Sequence, residues 1–108
     1  MEIENIKVCA DEKRIKDYGF KRVGDSYKYS TSLYKSKGKD TIFAEFLLYL
    51  DDKILTVNVI DANTGMGYSP FYIKPNHQNL VLNKMMVNYK KFIDKLAKAG
   101  IVRKEENE

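Results

Sequence analysis

The run from Thr41 to Asp61, TIFAEFLLYLDDKILTVNVID, constrains this chain more than any other stretch. Val, Ile, Thr, Phe and Tyr dominate it, side chains whose branching or flatness suits a pleated sheet, and Asp51, Asp52 and Lys53 break it in the middle. It therefore reads as two long strands folded back on each other. A tight turn at Asp51-Asp52 sets Leu48 opposite Leu55, Phe46 opposite Val57 and Ala44 opposite Val59, and that face is the expected core. Moving the turn to Asp52-Lys53 keeps the same residues inside, because side chains alternate with a period of two.

The opposite face carries Phe43, Glu45, Leu47 and Tyr49 on the first strand and Ile54, Thr56, Asn58 and Ile60 on the second. A sheet face left to water should be mostly polar, and this one is not. Phe43, Leu47, Tyr49, Ile54 and Ile60 are therefore the candidate interface, to be covered by another segment, a second copy or a protein partner.

Around this ribbon the chain supplies helices at both ends. Asp11 can cap a short helix over Glu12 to Tyr18, with Glu12 in the first turn, where a negative charge meets the positive end of the helix. Gly19 then takes the left-handed position and Phe20 meets Ile15. Lys21 to Val23 and Ser26 to Tyr34 read as strands joined at Gly24-Asp25. Lys35 to Asp40, KSKGKD, reads as a charged, flexible loop whose lysines are solvated or clamp a phosphate. After a turn at Asp61 to Gly65, Met66 to Ile73 reads as a strand, an edge or bulged one because Pro70 cannot donate to a ladder. A long helix follows from about Asn79 to Ala99. Leu82, Met85, Met86, Tyr89, Phe92, Ile93 and Leu96 recur at spacings of three and four, so one stripe faces the sheet. Gly100 stops this helix, with Ile101 placed to meet Leu96.

These elements specify an α+β domain: an antiparallel sheet of about five strands, with a short N-terminal helix and a long C-terminal helix on one face. Residues 1–9, with Ile3, Ile6 and Val8 among charges, fit an extended arm, a strand or a helical turn. At 108 residues the chain suits one domain, expected over 1–104, with 105–108 a disordered acidic tail. Hydrophobic residues make up 44% of the chain, enough to bury a core, which excludes wholesale disorder. No apolar run approaches the ~18 to 20 residues that cross a bilayer, and Met1-Glu2-Ile3-Glu4 lacks the start of a secretory signal. The expected setting is cytoplasmic.

Charge admits a second class of partner. The formal net charge is +4, and residues 1–104 hold 19 basic and 12 acidic side chains. A basic body binds nucleic acid through counterion release. Lys84, Lys91, Lys95 and Lys98, spaced seven, four and three apart, align on the outer side of the last helix as the candidate nucleic-acid contact, with Asp94 one turn before Lys98 partly neutralising it. The excess is lysine, sixteen against three arginines, alongside eight asparagines. That composition equally fits the codon bias of an AT-rich genome, and a solvated helix face is the plainer reading of the stripe.

Catalytic and cofactor chemistry find little footing. Cys9 and His77 are the single cysteine and histidine, which leaves no intramolecular disulfide and no Cys/His zinc cluster. Asp61-Ala62-Asn63-Thr64-Gly65 opens like a calcium loop, but Met66 and Tyr72 stand where that loop needs Gly and a bidentate Glu. Gly65-Met66-Gly67 precedes a strand rather than the helix N-terminus a phosphate loop needs. Cys9 or a serine with His77 makes a poor nucleophile pair. The expectation is a non-enzymatic domain with no catalytic, cofactor or metal residues and no small-molecule substrate. Tyr27, Tyr29, Tyr34, Tyr49, Tyr68 and Tyr72 all fall on expected strands, where they could stack single-stranded bases, serve a protein interface or simply favour the sheet.

Tyr18-Gly19-Phe20-Lys21, Tyr27-Lys28-Tyr29-Ser30 and the turn from Asp61 through Thr64-Gly65 to Tyr68 resemble the motifs of the MmcQ/YjbR group of small bacterial domains. The likeness spans residues 18–73. It implies a helix, an antiparallel sheet and a closing helix, a shape related to frataxin, in a family often labelled DNA-binding. The first helix here is no acidic ridge, so iron is not implied. The lysine- and asparagine-rich, cysteine-poor style is also similar to small phage and mobile-element proteins of low-GC Gram-positive bacteria.

Overall fold

The computed structural model describes residues 1–72 and 80–105. Its elements run β1 (Ile6–Val8), α1 (Glu12–Tyr18), β2 (Lys21–Val23), β3 (Ser26–Ser36), β4 (Lys39–Tyr49), β5 (Ile54–Asp61), β6 (Met66–Gly67), α2 (Ser69–Tyr72), α3 (Leu80–Lys98) and β7 (Val102–Lys104). Strands β2 to β6 form one antiparallel sheet in sequence order, while β1 and β7 pair as a separate ribbon. This is the α+β architecture expected, built as a meander in which each strand lies beside the next.

The β4–β5 hairpin has the register the sequence specifies, with Leu48 opposite Leu55, Phe46 opposite Val57 and Ala44 opposite Val59. All six are fully buried. Helix α3 lies across them with its apolar stripe inward. Phe92 meets Phe46 at 4.7 Å and Tyr29 at 5.2 Å between ring centroids, and Tyr89 stacks on Phe46 at 6.0 Å. Rings at these separations gain about 0.5–1.5 kcal/mol beyond the area they bury. Both long-range partners of the sheet, α3 and Ile15 of α1, belong to one cluster on this side.

The helix ends follow from their capping chemistry. The Asp11 carboxylate accepts the Arg14 N–H at 2.9 Å, and beyond Tyr18 the Gly19 and Phe20 N–H groups donate to the carbonyls of Lys16 and Ile15. Gly19 sits at φ +127°, which a side chain rarely adopts. Helix α3 ends the same way, Gly100 and Ile101 donating to Ala97 and Leu96.

Three segments differ from the sequence expectation. KSKGKD is no flexible loop: β3 and β4 continue through it, Lys35 facing Asp40 and Ser36 facing Lys39. Lys37 and Gly38, at φ +54° and +77°, close it as a two-residue turn of the primed type whose twist matches the strands. The strand expected over Met66 to Ile73 stops at Gly67, and Ser69–Tyr72 is a helical turn. Pro70 explains it: its fixed φ and missing N–H suit the first turn of a helix. The third difference is β7, which pairs with β1 and gives the N-terminal arm its strand. The Glu105 N–H extends that ladder to the Asn5 carbonyl at 2.8 Å. The Asn79 cap, His77 and the tail beyond Glu105 lie outside the described residues.

Candidate interaction surface

The period of two puts Phe43, Leu47, Tyr49, Ile54 and Ile60 on the side of the sheet away from α3. Phe43 faces Ile60, Leu47 faces Thr56 and Tyr49 faces Ile54 across the β4–β5 ladder, with Glu45 facing Asn58 between them. All five apolar residues are partly exposed, and none belongs to the core cluster or packs against it. The molecule measures 38 × 34 × 21 Å. Its thin dimension holds the sheet and one helical layer at the usual spacing of about 10 Å, with no third layer among the described residues.

Neither residues 1–8 nor residues 101–105 reach over this face. Residues 1–8 run along the outer edge of β5 instead. The Val57 N–H donates to the Met1 carbonyl at 2.8 Å, Ile3 N–H to Leu55 at 2.9 Å and Val8 N–H to Lys53 at 3.0 Å. Ile3 and Ile6 pack against the core, on the helix side.

On β3 the same face presents Lys28 opposite Leu47, Ser30 opposite Glu45 and Ser32 opposite Phe43. Lys28 and Glu45 join at 2.7 Å diagonally across the two strands, splitting the apolar surface into a Leu47, Tyr49, Ile54 patch and a Phe43, Ile60 patch. Val23 of β2, 51% exposed, is level with Ser26 and extends the first patch toward the sheet edge. The face carries Lys21 and Lys28 against Glu45, and the Ser32 hydroxyl is buried without a partner among the described residues.

The tyrosines divide by face. Tyr27 is buried, and Tyr29 and Tyr34 pack against the core. Tyr68 packs there too, while the Tyr72 hydroxyl accepts the Val59 N–H at 2.9 Å in place of a neighbouring strand. Only Tyr49 of the six lies on the open face, so the sheet offers no row of rings for bases to stack on. The Tyr27 hydroxyl donates to Glu12, a bond that holds the Glu12 carboxyl below and the Tyr27 phenol above the ordinary values.

The lysine stripe is placed as its spacing requires. Lys84, Lys91, Lys95 and Lys98 are all exposed on α3. Asp94, however, gives its carboxylate to Lys104 of β7, the bond that chiefly lowers its pKa, and Lys98 acts on it only weakly through space. The expected neutralisation of Lys98 is thus diverted to a strand that sequence reasoning missed. Among the described residues, no three His, Cys, Asp or Glu side chains gather where they could hold a metal ion, and no helix is long and apolar enough to cross a membrane.

No protein-family model and no curated protein matches this chain. Among solved structures it is similar to a DUF1831 family protein from Lactobacillus plantarum, with a TM-score of 0.61 over 93% of this chain and 86% of that one. Identity is 11%, so the likeness establishes the fold alone: a single α+β layer pair of antiparallel sheet and helix.

Proposed function

We propose that this chain is a non-enzymatic, cytoplasmic interaction module that pairs with a second copy of itself through the helix-free face of its sheet. The observation that carries this reading is the position of Phe43, Leu47, Tyr49, Ile54 and Ile60, five large apolar side chains on a face that no element among the described residues covers. A sheet face turned to water is ordinarily polar, and the two patches on either side of the Lys28–Glu45 pair are not. The charge pattern favours a copy over a charged stranger. Lys28 and Glu45 lie side by side on the face, so a two-fold axis can set the lysine of each copy against the glutamate of the other.

Size is adequate for a modest interface. Strands β3, β4 and β5 are 11, 11 and 8 residues long, and with the short β2 and β6 beside them at a spacing of about 4.8 Å the sheet spans on the order of 550 Å², below the roughly 800 Å² per partner of a standard complex. A dimer that dissociates on dilution is expected. Sedimentation of the native chain and of Leu47→Lys tests it: the native chain should approach twice 12.6 kDa as concentration rises, and the variant, with an unchanged circular dichroism spectrum, should stay at 12.6 kDa. A native chain that remains monomeric at about 1 mM, the weak limit of specific association, defeats self-association.

A further inference from the structure

We infer that α3 is a duplex nucleic-acid contact, binding phosphates through Lys84, Lys91, Lys95 and Lys98 on the side of the molecule opposite the apolar sheet face. The exposed side of α3 carries these four and Lys90, against one acid, Asp94, which is already held by Lys104. None of the four has an ion-pair partner among the described residues. From Lys84 to Lys98 the stripe is about 21 Å long at 1.5 Å per residue, long enough to follow several phosphates of one strand.

The positive surface continues past both ends of the stripe. Lys35 lines a cleft of about 420 Å³ with Tyr34, Lys84, Val87 and Asn88, its own acid Asp40 standing off at 3.8 Å. At the other end the Arg14 guanidinium lies against Gly100, two residues beyond Lys98. Lys35, held only loosely by Asp40, the four lysines of α3 and Arg14 thus follow one another along a line that fits a row of negative charge.

The side chains also say which polyanion and which mode. The rings of α3 point inward, with Phe92 buried and Tyr89 stacked on Phe46, so the stripe has nothing with which to stack unpaired bases. It contains lysine and no arginine, the better fork for reading guanine edges. Phosphate contact without base readout follows, which positions a protein on duplex DNA or RNA but does not select a sequence.

The test is the salt dependence of binding to a fluorescent duplex of about 20 base pairs, read by anisotropy. Four phosphate contacts predict a log–log slope of about −3.6, or a loss of roughly 150-fold in affinity between ~50 and ~200 mM salt. Replacing Lys84, Lys91, Lys95 and Lys98 together by Gln should abolish binding at ~50 mM salt, while Lys7, Lys13, Lys21 and Lys53 replaced by Gln should leave the slope within about one unit. Two unrelated duplex sequences should bind equally. The inference is overturned by any of three results: no binding of the native chain at low salt, equal loss in both quadruple variants, or tighter binding of polyglutamate than of duplex, which would assign the stripe to an acidic protein. The stripe and Leu47 lie on opposite layers, so this result is independent of self-association.

Discussion

Phe43 and Phe46 stand three residues apart on β4 and point to opposite sides of the sheet, so replacing each by Ala separates core from surface on a single strand. Phe46 is fully buried between Phe92 and Tyr89. Its loss removes the transfer energy of the ring and leaves a cavity, about 3–5 kcal/mol together. A domain of this size has about 5–15 kcal/mol in total, so Phe46→Ala should remain folded but close to the edge. Phe43 is partly exposed and faces Ile60, so its truncation in the monomer should cost about 1 kcal/mol. With a urea slope of about 1.5 kcal/mol/M, the two midpoints should fall by about 2–3 M and under about 1 M respectively. If the face pairs with a second copy, the Phe43→Ala loss grows with protein concentration while the Phe46→Ala loss does not. Equal shifts for the two variants, or a larger one for Phe43, would refute the assignment of faces on which the interaction surface depends.

Two further outcomes test particular contacts. Tyr72→Phe removes the acceptor of the buried Val59 N–H and should cost about 1–3 kcal/mol, with faster amide exchange at Val59 itself; an unchanged exchange rate there would show that the hydroxyl is dispensable. Burial pushes the Tyr89 phenol up to about 12 from 10.0. The unfolded chain then loses this proton first, so the contribution is intact below about pH 10 and stability falls as pH rises from there through about 12. Absorbance titration of phenolate should show a step near pH 12 that disappears in Tyr89→Phe, and a native titration matching that variant's would contradict the packing of Tyr89 on Phe46.

What could be read from the sequence was whatever short-range chemistry dictates. Asp11, Gly19 and Gly100 mark helix ends because their effects act within a turn, and the β4–β5 register follows from alternation alone. The five apolar face residues were legible for the same reason. Pairings between distant segments were not. Nothing within Ile101-Val102-Arg103 announces a strand, since β7 exists only because Ile6–Val8 lies beside it. Missing β7 also hid the fate of Asp94, whose partner Lys104 is on that strand. The SPFY turn misled because Phe and Tyr favour strands, although Ser69-Pro70 is itself a helix-start signal. In KSKGKD, four charges suggested solvated loop, yet Lys37-Gly38 needs only positive φ at both positions to fold as a hairpin turn.

The treatment of the sheet edges bears on how this chain can associate. Open edges invite pairing with another chain, and proteins that avoid it cover or distort them. The outer edge of β5 is occupied by Met1, Ile3 and Val8 at one end and, at the other, by the Tyr68 N–H on the Val59 carbonyl and the Tyr72 hydroxyl on the Val59 N–H. The opposite side of the sheet is screened differently. Strand β2 covers β3 as far as Lys28, and beyond it the ladder is bulged between Ser32 and Tyr34, with the Leu33 carbonyl taken by the Asn88 side chain at 2.8 Å. A bulge twists the strand away from any flat partner, and a capped carbonyl is lost to a new ladder. With both edges so treated, extension of the sheet is disfavoured, and a second copy is left the face. There the contacts would be side chain on side chain, Leu47 and Tyr49 against their equivalents, which is why one lysine at position 47 suffices to prevent them.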